Sequence, residues 1–238
     1  MERHEEELVS AVNNNNAEKV KDLFRQHPNL NPNHRNVLHT ATKAGYHDVV
    51  AALLLQPALD VQQRSQQGIP ALYCACERGL TEVAKVLLRD TRVDVNYADG
   101  EICTPLWGAS YEGHLTVIKW IIASGRELNL ERKGKLLAVL FDDNEYSALE
   151  IARARGNSEV VLLLERFKRN KTLTRTEIRK ELGVAGEQNF YFFFFPCEFF
   201  HFFLHFFYFE DFISIFFLNY SNFCDEGIMI YFFEKSGG

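Results

Sequence analysis

The chain has 238 residues and a formal net charge of −6, long enough for one sizeable core or two small ones. With 32 acidic residues against 26 Lys and Arg, it lacks the basic footprint of a general nucleic-acid binder. Five cysteines, an odd count without regular spacing, argue against a disulfide framework. The totals hide a split. Residues 184–238 carry seven acids and one base, and 18 of the 21 phenylalanines fall between Phe190 and Phe233. Residues 1–183 and 184–238 therefore read as separate regions. The start, Met1 to Glu7, is charged and has no apolar run, so no signal peptide is expected. With the cysteine pattern, this points to a reducing, cytoplasmic setting.

In chain order, the first unit is Leu8-Val9-Ser10-Ala11, then Asn13 to Asn16, then Val20, Leu23 and Phe24. The asparagines read as a helix–helix turn, since Asn tolerates the left-handed region. Glu5, Glu6, Glu7, Lys19 and Lys21 keep one face wet, as a capping unit must. A beat then sets in at Gly45, Gly79, Gly113 and Gly156, separated by 34, 34 and 43 residues. Seven residues before each stands Leu38, Leu72, Leu106 or Leu149, and four before stands Ala41, Ala75, Ala109 or Ala152. Four after comes Val49, Val83, Val117 or Val160, followed by a further apolar pair. Each unit thus predicts a short helix ended by a glycine at positive φ, then a second helix with one apolar face. Helices of about eight residues do not persist alone in water, so the units must stack.

Thr104-Pro105-Leu106-Trp107-Gly108-Ala109 with Gly113-His114-Leu115-Thr116-Val117-Ile118, and Leu38-His39-Thr40-Ala41 with Gly45 to Val50, resemble the ankyrin repeat. Val93 to Asn96 and Glu127 to Asn129 match its closing segment. The resemblance covers about Leu8 to Phe167. It implies an all-α ankyrin-repeat solenoid of about five helix-turn-helix repeats with short turn hairpins. Asn36-Val37, Pro70-Ala71 and Ser147-Ala148 stand where the family has Thr-Pro; Tyr73, Trp107 and Glu150 stand where it has His. No repeat keeps both partners of the family's Thr–His hydrogen bond, which implies a somewhat soft array.

The longer third step implies an insertion of about nine residues. Leu136 to Phe141 reads as a short strand and Asp142 to Glu145 as a turn, either a tolerated loop or a specificity element. After the fifth repeat, Thr174-Arg175-Thr176-Glu177 has the form of a capping box, so residues 175–182 are expected to form a C-terminal capping helix. The bases between Arg166 and Lys180 read as a solvated helix end or as a patch for an acidic partner or membrane surface. Three readings of the Phe-rich tail stay open: a translated non-coding or unstructured segment, a membrane anchor within residues 190–218, or a packed aromatic core. Glu198 and Pro196 inside the run weigh against insertion.

No phosphate loop or nucleophile elbow is present, so no catalytic residue, cofactor or metal is expected. Cys74 and Cys76 read as core thiols; Cys197, His201 and His205 recur at one helical face but lack a fourth ligand. His39 and His114 fall where ankyrin repeats use His for internal hydrogen bonds. The resemblance implies binding through a concave face formed by turn tips and first helices. The positions mapped onto it are Arg35, Lys43, Gln66, Gln67, Ile69, Glu77 and Arg78, then Glu101, Cys103, Tyr111, Glu112, Asp143, Tyr146 and Arg155. Tyr111, Tyr146, Arg78 and Arg155 are the expected anchors, because Tyr and Arg dominate interface energetics; Ile69 adds an apolar contact. The expected function is a non-catalytic adaptor or scaffold that binds another protein as a monomer. The alternatives are a membrane-tethered adaptor facing the cytoplasm and a targeting subunit of an enzyme complex.

Overall fold

The structure, a computed structural model, describes residues 2–66, 68–98, 103–134 and 145–184. The tail, the strand expected at Leu136–Phe141, and Gln67, Glu101 and Asp143 lie outside the described residues. Among the described residues there are eleven α-helices, and pairing of β type is confined to two isolated bridges. The helices are α1 (Glu2–Asn13), α2 (Ala17–Gln26), α3 (Val37–Ala44), α4 (His47–Leu54), α5 (Ala71–Glu77), α6 (Thr81–Arg89), α7 (Pro105–Glu112), α8 (Leu115–Ala123), α9 (Ala148–Arg155), α10 (Ser158–Arg169) and α11 (Lys171–Glu181). Five helix pairs stack side by side in an ankyrin-type solenoid. α1, α3, α5, α7 and α9 form an inner row, and α2, α4, α6 and α8 an outer row continued by α10.

The sequence pattern explains the stacking. Ala41, Ala75, Ala109 and Ala152 are fully buried where neighbouring inner helices meet. Val49, Val83, Val117 and Val160 fill the space beneath the outer helices, as do Leu53, Leu87, Ile121 and Leu164. Nearly all of this belongs to one continuous apolar core running from Leu8 to Ile178. Each beat glycine closes its helix, or the turn after it, at positive φ (79°, 67°, 80° and 75°). At Gly79 and Gly113 a second constraint applies. A Cβ there would lie 2.7 Å from the His114 ring or 2.8 Å from the Asn157 amide of the following repeat. Those side chains reach back between repeats: His114 Nε2 lies 3.0 Å from Glu77 O, and Asn157 Nδ2 donates to Ser110 O (2.8 Å) and Tyr111 O (3.0 Å). The asparagine turn behaves as expected, with Asn15 left-handed (φ 52°) and Asn16 capping α2 by accepting from Lys19 N.

The short hairpins reduce to paired bases, Arg64 with Pro70 and Gly134 with Tyr146. The second pair exchanges both backbone hydrogen bonds, at 2.9 and 3.0 Å, and so closes the insertion at its root.

The C-terminal helix needs correcting. It begins at Lys171, not residue 175, and its cap is Asn170, whose side chain accepts from Leu173 N at 3.0 Å. Thr174 is buried one turn inside rather than opening the helix. A free N–H satisfied one turn earlier leaves the expected box with nothing to cap. α8 and α10 touch only sparsely, and α11 packs against both, on the outer row.

Candidate functional site

Tyr73 on α5, Trp107 and Tyr111 on α7, and Ile151 on α9 form a second apolar cluster with Cys103, with Ile69 and Tyr146 packed against it. Trp107 and Tyr111, one turn apart, stack with centroids 5.4 Å apart and planes 10° from parallel. Gly108 makes room for Tyr73, since a Cβ there would sit 3.2 Å from its ring. The Arg155 guanidinium lies 4.4 Å from the Tyr111 ring centre, a cation–π contact that holds it over the plate.

Tyr73 and Trp107 occupy positions where the repeat pattern places His, as does Glu150 in the fifth repeat, and the hydrogen bonds of that His are replaced in different ways. Trp107 Nε1 donates to Tyr146 O at 2.8 Å, tying the fourth inner helix to the chain entering the fifth. Thr104 caps α7 by accepting from Trp107 N at 3.2 Å. In the fifth repeat Ser147 and Glu150 form a full capping box, each side chain accepting from the other's backbone N–H. Burial lifts the Tyr73 phenol well above its ordinary range, and the nearby Glu77 carboxylate adds to the rise. His39 keeps the family residue, yet its Nδ1 is buried without a hydrogen-bond partner.

The expected partner-binding residues separate into groups. Arg155, Arg78, Lys43, Glu112 and Gln66 are exposed and Glu77 is half-buried, along the inner-helix side. Tyr111, expected to be exposed, is only 7% exposed, and Cys103 is buried too. Both belong to the plate, because the i, i+4 stack on Trp107 and the close approach of Gly134 turn them inward; a Cβ on Gly134 would lie 2.3 Å from Cys103 Sγ. Tyr146 and Ile69 are half-buried against the same cluster. Arg35 is exposed but engaged with Glu6 of α1 at 2.6 Å, at left-handed φ (46°).

Electrostatics follow burial. Burial pushes the Cys103 thiol up to about 12 and raises Cys74 and Cys76 as well, so all three are held as neutral thiols. Burial lifts Glu77 above the ordinary carboxylate range; Arg78 opposes the rise and Glu112 adds to it. Burial lowers His39, and the nearby Lys43 and Arg78 lower it further. Lys43, Arg78 and Arg155 meet no carboxylate at ion-pair distance among the described residues.

A set of outer-side arginines escaped the sequence reading. Arg92 donates to Leu54 O (2.7 Å) and Gln56 O (3.0 Å), past the end of α4. Arg126 does the same beyond α6, to Leu88 O, Asp90 O and Val93 O. Arg175 and Arg179 finish the series at the end of α8, on Ile122 O (3.1 Å) and Ala123 O (2.8 Å). Each places a cation on the negative end of a helix dipole and on carbonyls left without intrahelical donors. The signal was available, since Arg92 and Arg126 are 34 residues apart. The basic stretch is therefore largely engaged within the molecule: Lys168 meets Glu131 at 2.7 Å and Lys171 meets Glu127 at 3.3 Å.

Among the described residues no group of three or more His, Cys, Asp or Glu side chains could hold a metal ion. No described helix is long and apolar enough to cross a membrane. The Cys197, His201 and His205 constellation and residues 190–218 fall outside the described residues.

The family model described as ankyrin repeats (3 copies) matches over two overlapping stretches, residues 8–99 and 54–132. The chain belongs to the ankyrin-repeat family. Similar ankyrin-type relatives include the human Ankyrin repeat domain-containing protein 63, 32% identical over 112 residues, or 47% of this chain and 28% of that protein. Alpha-latrocrustotoxin-Lt1a of Latrodectus tredecimguttatus is 28% identical over 122 residues, 51% of this chain and 8% of its own length. The probable E3 ubiquitin-protein ligase XBOS32 of Oryza sativa subsp. japonica is 29% identical over 125 residues, 50% of this chain and 25% of that protein. The matches thus span less than a third of each of these relatives. Ankyrin repeats as a family mediate protein–protein interaction.

Proposed function

We propose that this ankyrin array is a non-catalytic adaptor that binds another protein through its inner-helix side, centred on repeats three to five. The observation that carries this reading is the aromatic plate of Tyr73, Trp107 and Tyr111, which fixes Arg155 above it at 4.4 Å from Tyr111. A guanidinium held by a buried ring has lost part of its rotamer freedom before any partner arrives, which lowers the entropic cost of docking. Exposed Arg78 and Glu112 flank it, so the partner meets an ordered centre with a charged rim. The outer side supports the choice, because its arginines are engaged with backbone carbonyls.

The test is a charge reversal at two exposed positions, Glu112→Arg with Arg155→Glu, in the full chain. Affinity capture from the source cell with isotope-ratio mass spectrometry should show at least one specific partner reduced about tenfold, a loss typical of removing interface anchors. Circular dichroism should show unchanged helix content. If every protein captured by the wild type is retained by a folded variant, the inner side is not the docking surface.

A further inference from the structure

On the inner side, His39 and Lys43 stand one turn apart on α3, and Cys74 stands one turn before Arg78, which ends α5. α3 and α5 pack side by side, so these side chains share one patch. Lys43 and Arg78 both act electrostatically on His39 and on Cys74. Neither cation has a carboxylate at ion-pair distance among the described residues. Glu77, next to Arg78 in sequence, feels the Arg78 charge without standing at ion-pair distance from it, and its burial disfavours the carboxylate form. Cys74 is held as a neutral thiol by burial and supplies no counter-charge. His39 buries Nδ1 without a partner, which leaves Nε2 as the nitrogen open to a ligand.

We propose that Lys43, Arg78 and His39 form an anion site that seats a side-chain carboxylate from an acidic segment of the partner protein. The proposal rests on the inner side being the docking surface and adds the chemistry of what docks. Two cations and an imidazole with no carboxylate at ion-pair distance among the described residues gain most from one shared negative charge. The guanidinium offers a planar fork that matches a carboxylate, and the ammonium a point charge beside it. The patch lies at the C-terminal turns of α3 and α5, where the negative helix ends disfavour a doubly charged phosphate more than a monoanion. A seated carboxylate would also reverse the field that Lys43 and Arg78 impose on the imidazole, so occupancy has its own signature at His39.

The probe is capped hexaglutamate, titrated into the full chain at low salt while the His39 ring proton is followed by NMR and assigned through its loss in His39→Gln. Hexaglutamate should shift that signal and raise its titration midpoint, and hexalysine should do neither. Lys43→Gln with Arg78→Gln should weaken the peptide about tenfold at unchanged helix content, as loss of two charge-assisted contacts predicts. An unmoved His39 signal, or equal affinity in a folded double variant, overturns the proposal. Tighter binding of inorganic phosphate than of hexaglutamate overturns the assignment to a carboxylate. Failure here while Glu112→Arg with Arg155→Glu still abolishes capture removes the acidic-segment site alone; unchanged capture in that variant removes the docking side itself.

Discussion

Trp107 shows how a single residue does work that the repeat pattern assigns to a different one. Its indole is buried, stacks on Tyr111, and donates to Tyr146 O at 2.8 Å. Tyr146 O also accepts from Gly134 N at 2.9 Å, so removing the indole donor leaves that carbonyl still bonded. Trp107→Phe therefore costs the donor plus a modest cavity, about 1–3 kcal/mol. Chemical denaturation should show the midpoint falling by that amount divided by the slope, with the slope itself unchanged. Loss of one hydrogen bond between repeats gives a clear answer only if the slope holds. The burial of Tyr111 belongs to the same scale. Its spacing from Trp107 was visible in the sequence, but spacing says that two rings can meet, not that both turn inward. Nor could composition reveal that Arg155 would lie on Tyr111, since contacts between neighbouring repeats have no local signature.

At the scale of single helices, the devices that begin and end each element carry most of the remaining detail. α9 opens with the only capping box among the described helices whose two bonds are both made, Ser147 with Glu150. The backbone N–H of Ser147 donating to Glu150 holds that carboxyl below the ordinary carboxylate range. A depressed folded value means the stabilisation is present above the unfolded value of about 4.5 and is lost as pH falls through the folded one. Glu150→Gln should thus lower Tm at pH 7, and the gap from wild type should close by pH 3. A gap that persists in acid would show that the charge plays no part in the cap. The helix ends also mark where sequence reasoning stopped. The beat glycines were readable because chirality restricts what can end a helix there. The start of α11 was not, because Thr174 and Asn170 are both competent caps and only tertiary burial of Thr174 chooses between them.

For the whole molecule, stability should follow the number of neighbours each repeat has. The third and fourth repeats are enclosed on both sides, contain the aromatic plate, and receive arginines at the ends of α6 and α8. α1 and α2 have one neighbour only. Hydrogen exchange should therefore be slowest in α5 to α8 and fastest in α1 and α2, with α11 close to α8 because Arg175 and Arg179 fasten it there. Protection that is uniform from end to end, or highest in α1, would show that the array does not behave as a chain of nearest-neighbour interfaces. At this scale the sequence reading was most complete, since the four beat glycines mark four helix pairs in stacking order and the Leu8 to Phe24 unit marks the first. Its failure was to treat the basic residues near α11 as a group, when they act singly on separate acceptors.

Gly134 and Tyr146 hold one another by reciprocal backbone bonds, while Cys103 leaves no space for a larger residue at position 134. The chain thus departs and returns through a latched doorway, and the entropic cost of a longer excursion grows only logarithmically with its length. Peptide tags or foreign recognition loops grafted between those two residues should leave the pitch of the surrounding helices undisturbed. The same latch gives natural variation a location in which to experiment without renegotiating the fold.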